Sequence, residues 1–187
     1  MKISRRKEAG AMCGRYQAWV DDEELLGIIE REKIGNAAKY FRQNEVFPGT
    51  EIPIIYGSYS TVRAHVAKWG FPAQNGRAII NARAESAASK PMFRDCFQNG
   101  RALVLSSGYY EWKDGERHYF GAGNGGAVLM CALEGLFGGV RRYVILTREA
   151  RGEAARIHDR MPLIIPKENM RPWLYDIRRA KEILETG

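Results

Sequence analysis

Cysteine and histidine are scarce in this chain of 187 residues: Cys13, Cys96 and Cys131, and His65, His118 and His158. The cysteines are odd in number and show no short paired spacing, which argues against a disulfide framework. The histidines lie far from one another and from any Cys-x-x-Cys, so the ligand spacing of a structural zinc site is missing, and neither a metal nor another cofactor is expected. Long apolar runs are missing too. A run such as Ala127-Val128-Leu129-Met130-Cys131-Ala132-Leu133 falls well below the roughly 20 residues of a membrane span. The N-terminus Met1-Lys2-Ile3-Ser4-Arg5-Arg6-Lys7 continues into Glu8-Ala9-Gly10, where a secretory signal would carry an apolar stretch. These absences predict a cytoplasmic protein with no membrane partner.

What is present fits one compact domain: 45% hydrophobic residues, 27% charged, and 29 Lys+Arg against 22 Asp+Glu. At this length folding buries about 70% of the surface exposed by the unfolded chain, enough for a core without staples. The net charge of +7 is compatible with a polyanionic partner, nucleic acid being the obvious candidate. Charge alone decides little.

Residues 1–11 carry charge and small residues without apolar periodicity and read as a disordered leader, so the single domain is expected over 12–187. Asp21 or Asp22 is placed to cap a helix with Leu25, Leu26, Ile29 and Ile34 at helical spacing. Pro48-Gly49 and Pro53 break the chain into turns and an extended Ile52–Ile55 stretch. Strand alternation follows over Val62–Trp69, with further strands predicted at Arg77–Asn81, Ala102–Ser106, Tyr109–Lys113, His118–Ala122, Val128–Leu133, Tyr143–Thr147 and Leu163–Ile165. Helices are predicted at Ala84–Ser89 and Met92–Gln98, with a last one from Lys167 to Leu184. The fold class is α+β: a β-rich core of curved, mainly antiparallel strands, barrel-like, with flanking helices.

Four polar constellations stand out: Met12-Cys13-Gly14-Arg15, Asn81-Ala82-Arg83-Ala84-Glu85-Ser86, Gly108-Tyr109-Tyr110-Glu111-Trp112 and Ile157-His158-Asp159-Arg160-Met161-Pro162. Taken singly, each has an ordinary structural explanation. A lone Cys is usually a small core residue, a lone His a hydrogen-bonder and an Arg a surface residue. Their combination and order, with Val46-Phe47-Pro48, Trp69-Gly70-Phe71-Pro72, Lys90-Pro91-Met92-Phe93-Arg94 and Ile145-Leu146-Thr147, resembles the SOS response-associated peptidase family from Met12 onward. The Val-Phe-Pro and Trp-Gly-Phe-Pro wording is similar to its shorter bacterial branch.

The resemblance implies a protein that crosslinks covalently to abasic sites in single-stranded DNA, as a monomer, on the nucleoid when bound. An opened abasic sugar is an aldehyde, and an N-terminal cysteine offers it an α-amine and a thiol together, giving a thiazolidine. An α-amine near 7.7–8.0 is partly neutral at physiological pH, unlike a lysine near 10.4. By this match Cys13 is the nucleophile, Glu111 the acid/base with Trp112 shielding its carboxyl, His158 the second proton carrier, and Asn81 the group that holds amine or sugar oxygen. Arg15, Arg83 and Arg160 are expected at phosphates, and Pro48, Trp69, Phe71 and Trp112 at bases. Asp159 is expected to pair with an arginine, Glu85 to cap or pair a local helix, and Tyr109 and Tyr110 to pack.

Two departures from the family pattern matter. Eleven residues precede Met12, whereas the family's cysteine follows its initiator Met; with them attached, the Cys13 nitrogen is an amide. Translation from Met12, self-cleavage before Cys13 by a cysteine peptidase activity, and a thiol acting alone or not at all all stay open, as does a non-covalent basic single-strand binder. Ser106-Ser107 stands where many members carry Pro-Ala, which is expected to alter the strand's exit toward Glu111 and leave the chemistry unchanged.

Overall fold

A computed structural model of the chain describes residues 14–34, 40–74, 76–122 and 126–186. The expected leader and Cys13 lie outside the described residues. The first elements are β1 (Tyr16–Trp19), α1 (Glu23–Arg31) and β2 (Arg42–Val46), followed by the hairpin of β3 (Glu51–Ser58) and β4 (Thr61–Trp69). A short β5 (Asn81–Arg83) runs directly into α2 (Ala84–Ala87) and on to α3 (Pro91–Asn99). Next come β6 (Arg101–Ser106), β7 (Gly108–Lys113), β8 (Glu116–Gly121), β9 (Val128–Phe137) and β10 (Val140–Glu149). The last elements are β11 (Arg160–Pro162), β12 (Ile164–Ile165), α4 (Met170–Tyr175) and α5 (Ile177–Thr186).

Strands β10, β4, β3, β6 and β9 pair in that order, and β9 pairs back to β10, closing a five-stranded barrel. Its pairings are antiparallel except β10 with β4, where Arg142 faces Lys68 and Tyr143 faces Trp69 in parallel register. A second, antiparallel sheet has the order β2-β1-β7-β8. The chain is therefore α+β, with a mixed barrel, a flanking sheet and peripheral helices. No helix among the described residues is long and apolar enough to cross a membrane.

Local chemistry explains the element ends. The Asp22 side chain accepts the Leu25 N–H at 3.1 Å and caps α1, which stops at Arg31, short of Ile34. Asp114-Gly115 closes β7 onto β8 with φ of 52° and 87°, and Gly138-Gly139 closes β9 onto β10 with 56° and 80°; two consecutive positive φ values define the turn whose twist suits a hairpin. Pro53 stays inside β3, opposite Val66, ahead of the β6 pairing at Ile55 and Tyr56, so its missing N–H falls where β3 has one neighbour.

Two expectations are corrected. The strand expected over Arg77–Asn81 is a single bridge, Phe71 to Ile79, and the ladder strand is Asn81–Arg83 on β10. Gly70, at φ 112°, turns the chain out of β4 toward that bridge. The last helix is broken: a 3-10 turn at Lys167–Asn169, then α4, then α5. Arg101 ends α4 by donating to the Trp173 and Leu174 carbonyls at 2.7 and 3.1 Å, and Asp176 restarts the helix by accepting the Arg178 and Arg179 N–H groups at 2.8 and 3.2 Å. The same guanidinium donates to the Phe97 and Gln98 carbonyls, so one buried cation terminates two helices.

The core is continuous between barrel and sheet. Tyr16 of β1 packs on Trp69 of β4 at 5.1 Å between ring centroids, Trp69 stacks on Tyr143 of β10 at 6.2 Å, and the two phenol oxygens lie 2.8 Å apart. Burial pushes both phenols above their ordinary range, so the contact is a neutral hydrogen bond.

Candidate active site and nucleic-acid surface

The segment after Cys13 is fastened to β7. The Tyr110 N–H donates to the Arg15 carbonyl at 3.0 Å, and Tyr16 pairs with Tyr109. Ser106 and Ser107 set how the chain passes from the barrel into β7. The Ser106 hydroxyl accepts the Gly108 N–H at 2.9 Å and lies 3.0 Å from the Gln17 carbonyl, which also accepts the Ser107 N–H at 2.9 Å. The Ser106 hydroxyl contacts are ones a proline side chain cannot make, whereas the Ser107 N–H bond to β1 belongs to the backbone. Gly108 is required there, because a Cβ would stand 2.4 Å from the Phe120 carbonyl oxygen.

Glu111 lies on β7, opposite His118 of β8, and is 4% exposed. Successive strand residues point to opposite faces, so Trp112 leaves the strand on the face opposite Glu111. Trp112 instead covers Arg15: the guanidinium carbon stands 4.9 Å from the Trp112 ring and 4.5 Å from the Phe47 ring. Glu45 accepts from Arg15 at 3.0 Å and from Arg117 at 2.7 Å, and Arg117 lies 5.0 Å over Tyr110. Phe47, Trp112 and Tyr119 are 43%, 37% and 47% exposed, which makes this face a set of open aromatic rings interleaved with arginines. Phe47 and Arg117 are absent from the sequence expectation. Phe47 stands beside Pro48 in the Val46-Phe47-Pro48 motif, and the cross-strand pairing of Trp112 with Arg117 is set by the Asp114-Gly115 hairpin.

Trp69 and Phe71 depart from expectation. Both are fully buried, and the Trp69 ring N–H donates to the Ile80 carbonyl at 2.9 Å, so neither offers a face to a base. Pro48 is exposed, in the Phe47–Thr50 turn.

Asn81 and Arg83 face β10 on one edge, Asn81 opposite Ile145 and Arg83 opposite Thr147. They line a cavity of about 360 Å³ together with Lys90, Met92, Phe93 and Thr147. Thr147 also escaped sequence reasoning: it is fully buried, and its hydroxyl has no hydrogen-bond partner among the described residues. On the other edge of β10, Thr147 faces Pro162 of β11. His158 precedes β11 and follows the 3-10 turn Ala154–Arg156, where its N–H donates to the Ala154 carbonyl at 2.9 Å. Its Nδ1 accepts the Arg160 N–H at 3.0 Å and lies 2.8 Å from an Asp159 carboxylate oxygen. A ring accepting at Nδ1 carries its neutral-state proton on Nε2. The Lys113 ammonium donates to the Arg156 carbonyl at 2.5 Å, clasping the end of Glu111's strand to the turn that presents His158.

Among the described residues, the Asp159 carboxylate lies against His158 Nδ1 and makes no ion pair with an arginine. Arg160 pairs with Glu85, at 2.6 and 2.8 Å, and donates to the Thr147 carbonyl at 2.6 Å. Arg160 holds the Glu85 carboxyl at about 2, well below its ordinary 4.5. Tyr109 and Tyr110 pack as expected, Tyr109 on Phe120 and Tyr110 on Tyr119. Burial pushes the Cys96 and Cys131 thiols up, so neither supplies a thiolate readily. Among the described residues, no group of three or more His, Cys, Asp or Glu is placed to hold a metal ion.

The chain matches known proteins along nearly its whole length. It is 28% identical over 188 residues to the abasic site processing protein YedK of Escherichia coli (strain K12), covering 93% of this chain and 84% of that one. It is 26% identical over 184 residues to the abasic site processing protein YoqW of Bacillus subtilis (strain 168), covering 87% and 80%. Two solved structures share the fold: a protein from Bacteroides thetaiotaomicron, with TM-score 0.70, 20% identity and coverage of 92% and 86%, and a phage-related protein from Bordetella bronchiseptica, with TM-score 0.71, 23% identity and coverage of 94% and 89%. The model of one family, SOS response associated peptidase (SRAP), matches residues 12–186, and the chain belongs to that family.

Proposed function

We propose that this protein processes abasic sites in single-stranded DNA by forming a thiazolidine between Cys13, once it is the first residue, and the sugar aldehyde. The neutral α-amine attacks the aldehyde carbon, water leaves, and the Cys13 sulfur adds to the resulting C=N bond while its proton passes to nitrogen. The net loss is one water. Glu111 and His158 move protons among amine, ring oxygen and leaving water, and Asn81 orients the acceptor oxygen. The names of YedK and YoqW support the lesion as substrate. Arg15 flanked by Phe47 and Trp112 is the combination of charge and open rings that suits a single strand, and Arg83 is assigned to a phosphate, the Arg160 fork being taken by Glu85.

The observation that carries this reading is the bond from Tyr110 N–H to the Arg15 carbonyl. Gly14 alone separates Cys13 from a residue fastened beside Glu111, and the Lys113 clasp ties the same strand to the His158 turn. The test is intact-mass spectrometry of chains beginning at Met1 and at Cys13, before and after incubation with an oligonucleotide bearing one abasic site. The Cys13 chain is expected to gain the oligonucleotide mass less one water, in an adduct that survives denaturation and is lost in Cys13→Ala. No adduct from the Cys13 chain overturns the proposal. Spontaneous conversion of the Met1 chain to the Cys13 chain would establish the self-cleaving reading that the residues before Cys13 raise. DNA association unchanged in Cys13→Ala, with no covalent species in either chain, would leave a non-covalent binder.

A further inference from the structure

We infer that Glu85 is a positioning residue for His158, acting through Arg160, and that its task is to keep the imidazole proton on Nε2. The inference rests on the reading above for what His158 does, and on geometry for the rest. Glu85 lies in the first turn of α2, which follows β5 on one edge of β10; Arg160 opens β11 on the other. The Arg160 side chain crosses between them, with two parallel N–H bonds to the two Glu85 oxygens and a third bond to the Thr147 carbonyl. A fork-on-fork pair fixes direction as well as distance.

That side chain is 11% exposed, whereas the Glu85 side chain is 51% exposed. A carboxylate half in water adds little net stability. What the pair does fix is where residue 160 sits, and residue 160 bears the N–H that holds His158 Nδ1. The neighbouring Asp159 carboxylate lies 2.8 Å from the same nitrogen and competes for it. Nδ1 can accept from Arg160 or donate to Asp159, but a single lone pair or proton cannot serve both. With Arg160 clamped, Nδ1 is the acceptor and Nε2–H is the group presented outward. With the clamp released, the ring turns its Nδ1–H to Asp159 and Nε2 becomes a bare acceptor.

The chain has three histidines, so its ring nitrogens are resolvable by long-range 1H–15N correlation, with His158→Ala as the assignment control. At about pH 8, where an ordinary imidazole is neutral, the wild type is expected to show His158 protonated at Nε2. Glu85→Gln is expected to move the proton toward Nδ1, Arg160→Lys to do the same because a point charge cannot replace the fork, and Glu85→Asp to restore part of the wild-type pattern. In parallel, Glu85→Gln is expected to slow adduct formation about 10-fold at saturating oligonucleotide, with the half-saturating concentration within about two-fold of wild type. Unchanged His158 spectra in both Glu85→Gln and Arg160→Lys would overturn the positioning role, whatever the adduct assay gives. Shifted spectra in a protein whose wild type forms no adduct would sustain the positioning role and sink the proposed function instead.

Discussion

The molecule carries two histidines in contrasting settings, one bonded to a glutamate across the barrel and the other partnered within its own turn. His65 of β4 and Glu134 of β9 come from barrel strands that do not pair with each other, yet their side chains meet at 2.5 Å. Tyr56 covers the imidazole at 4.3 Å and Arg141 approaches the carboxylate at 3.6 Å. His158 instead takes its nitrogen partners from its own turn, while Glu111 comes from the second sheet. His65 and Glu134 are consumed in bonding each other across the barrel. His158 is held by the Arg160 N–H, on a turn that the Lys113 clasp ties to the strand of Glu111. Residue type alone therefore does not say which histidine is bound up in the framework; the identity of its partners does.

Substitutions in the two settings are the most direct way to break that comparison. Glu134→Ala is expected to destabilise the fold by about 2–3 kcal/mol, since it strands a largely buried imidazole, with the adduct rate per folded molecule unchanged; thermal unfolding and the mass-shift assay read the two separately. Glu111→Gln and His158→Ala are expected to do the opposite. Each should slow adduct formation about 10²-fold with little change in the unfolding midpoint, and a His158→Ala protein that reacts at the wild-type rate would put both histidines in the structural class.

Smaller effects sharpen the contrast. Arg15→Ala is expected to weaken non-covalent binding of an undamaged single strand and to lower the salt slope of log K by about one ion, as read by a fluorescence titration over ionic strength. The smallest effect is on acid stability. Arg160 depresses the folded Glu85 carboxyl to about 2 from 4.5, so its contribution is present above about 4.5 and is lost as pH falls toward about 2. Unfolding midpoints between those values should fall less steeply in Glu85→Gln than in wild type, by a small margin because the carboxylate is half in water.

Several elements were legible in the residues because their causes are local. Asp22 before an apolar 3.6-residue period announces α1, and Asp114-Gly115 between alternating strands announces a tight hairpin. Within the family motifs, Gly108 and Gly70 stand where a Cβ would collide. What stayed hidden depends on partners distant in sequence. Alternation over Val62–Trp69 shows that the strand has two faces, but only the arrival of Tyr16 and Tyr143 makes Trp69 a core ring instead of a stacking platform. The Arg160 motif does not show that its fork is taken by Glu85, 75 residues earlier. The break at Asp176 depends on Arg101 reaching the α4 carbonyls from a strand 72 residues away.

The order of residues was enough for the α+β class, the family, the cap and turn positions, and the residue types able to condense with an aldehyde. Each of those depends on steric limits or chemical identity carried by a few neighbouring residues. The folded molecule was needed for the parallel closure of β4 against β10, the burial of Trp69 and Phe71, the turning of Trp112 onto Arg15, and the partners of His158 and Arg160. Those depend on which surfaces meet when the barrel closes, and a one-dimensional pattern specifies that surfaces are apolar or charged without specifying which other surface they will face.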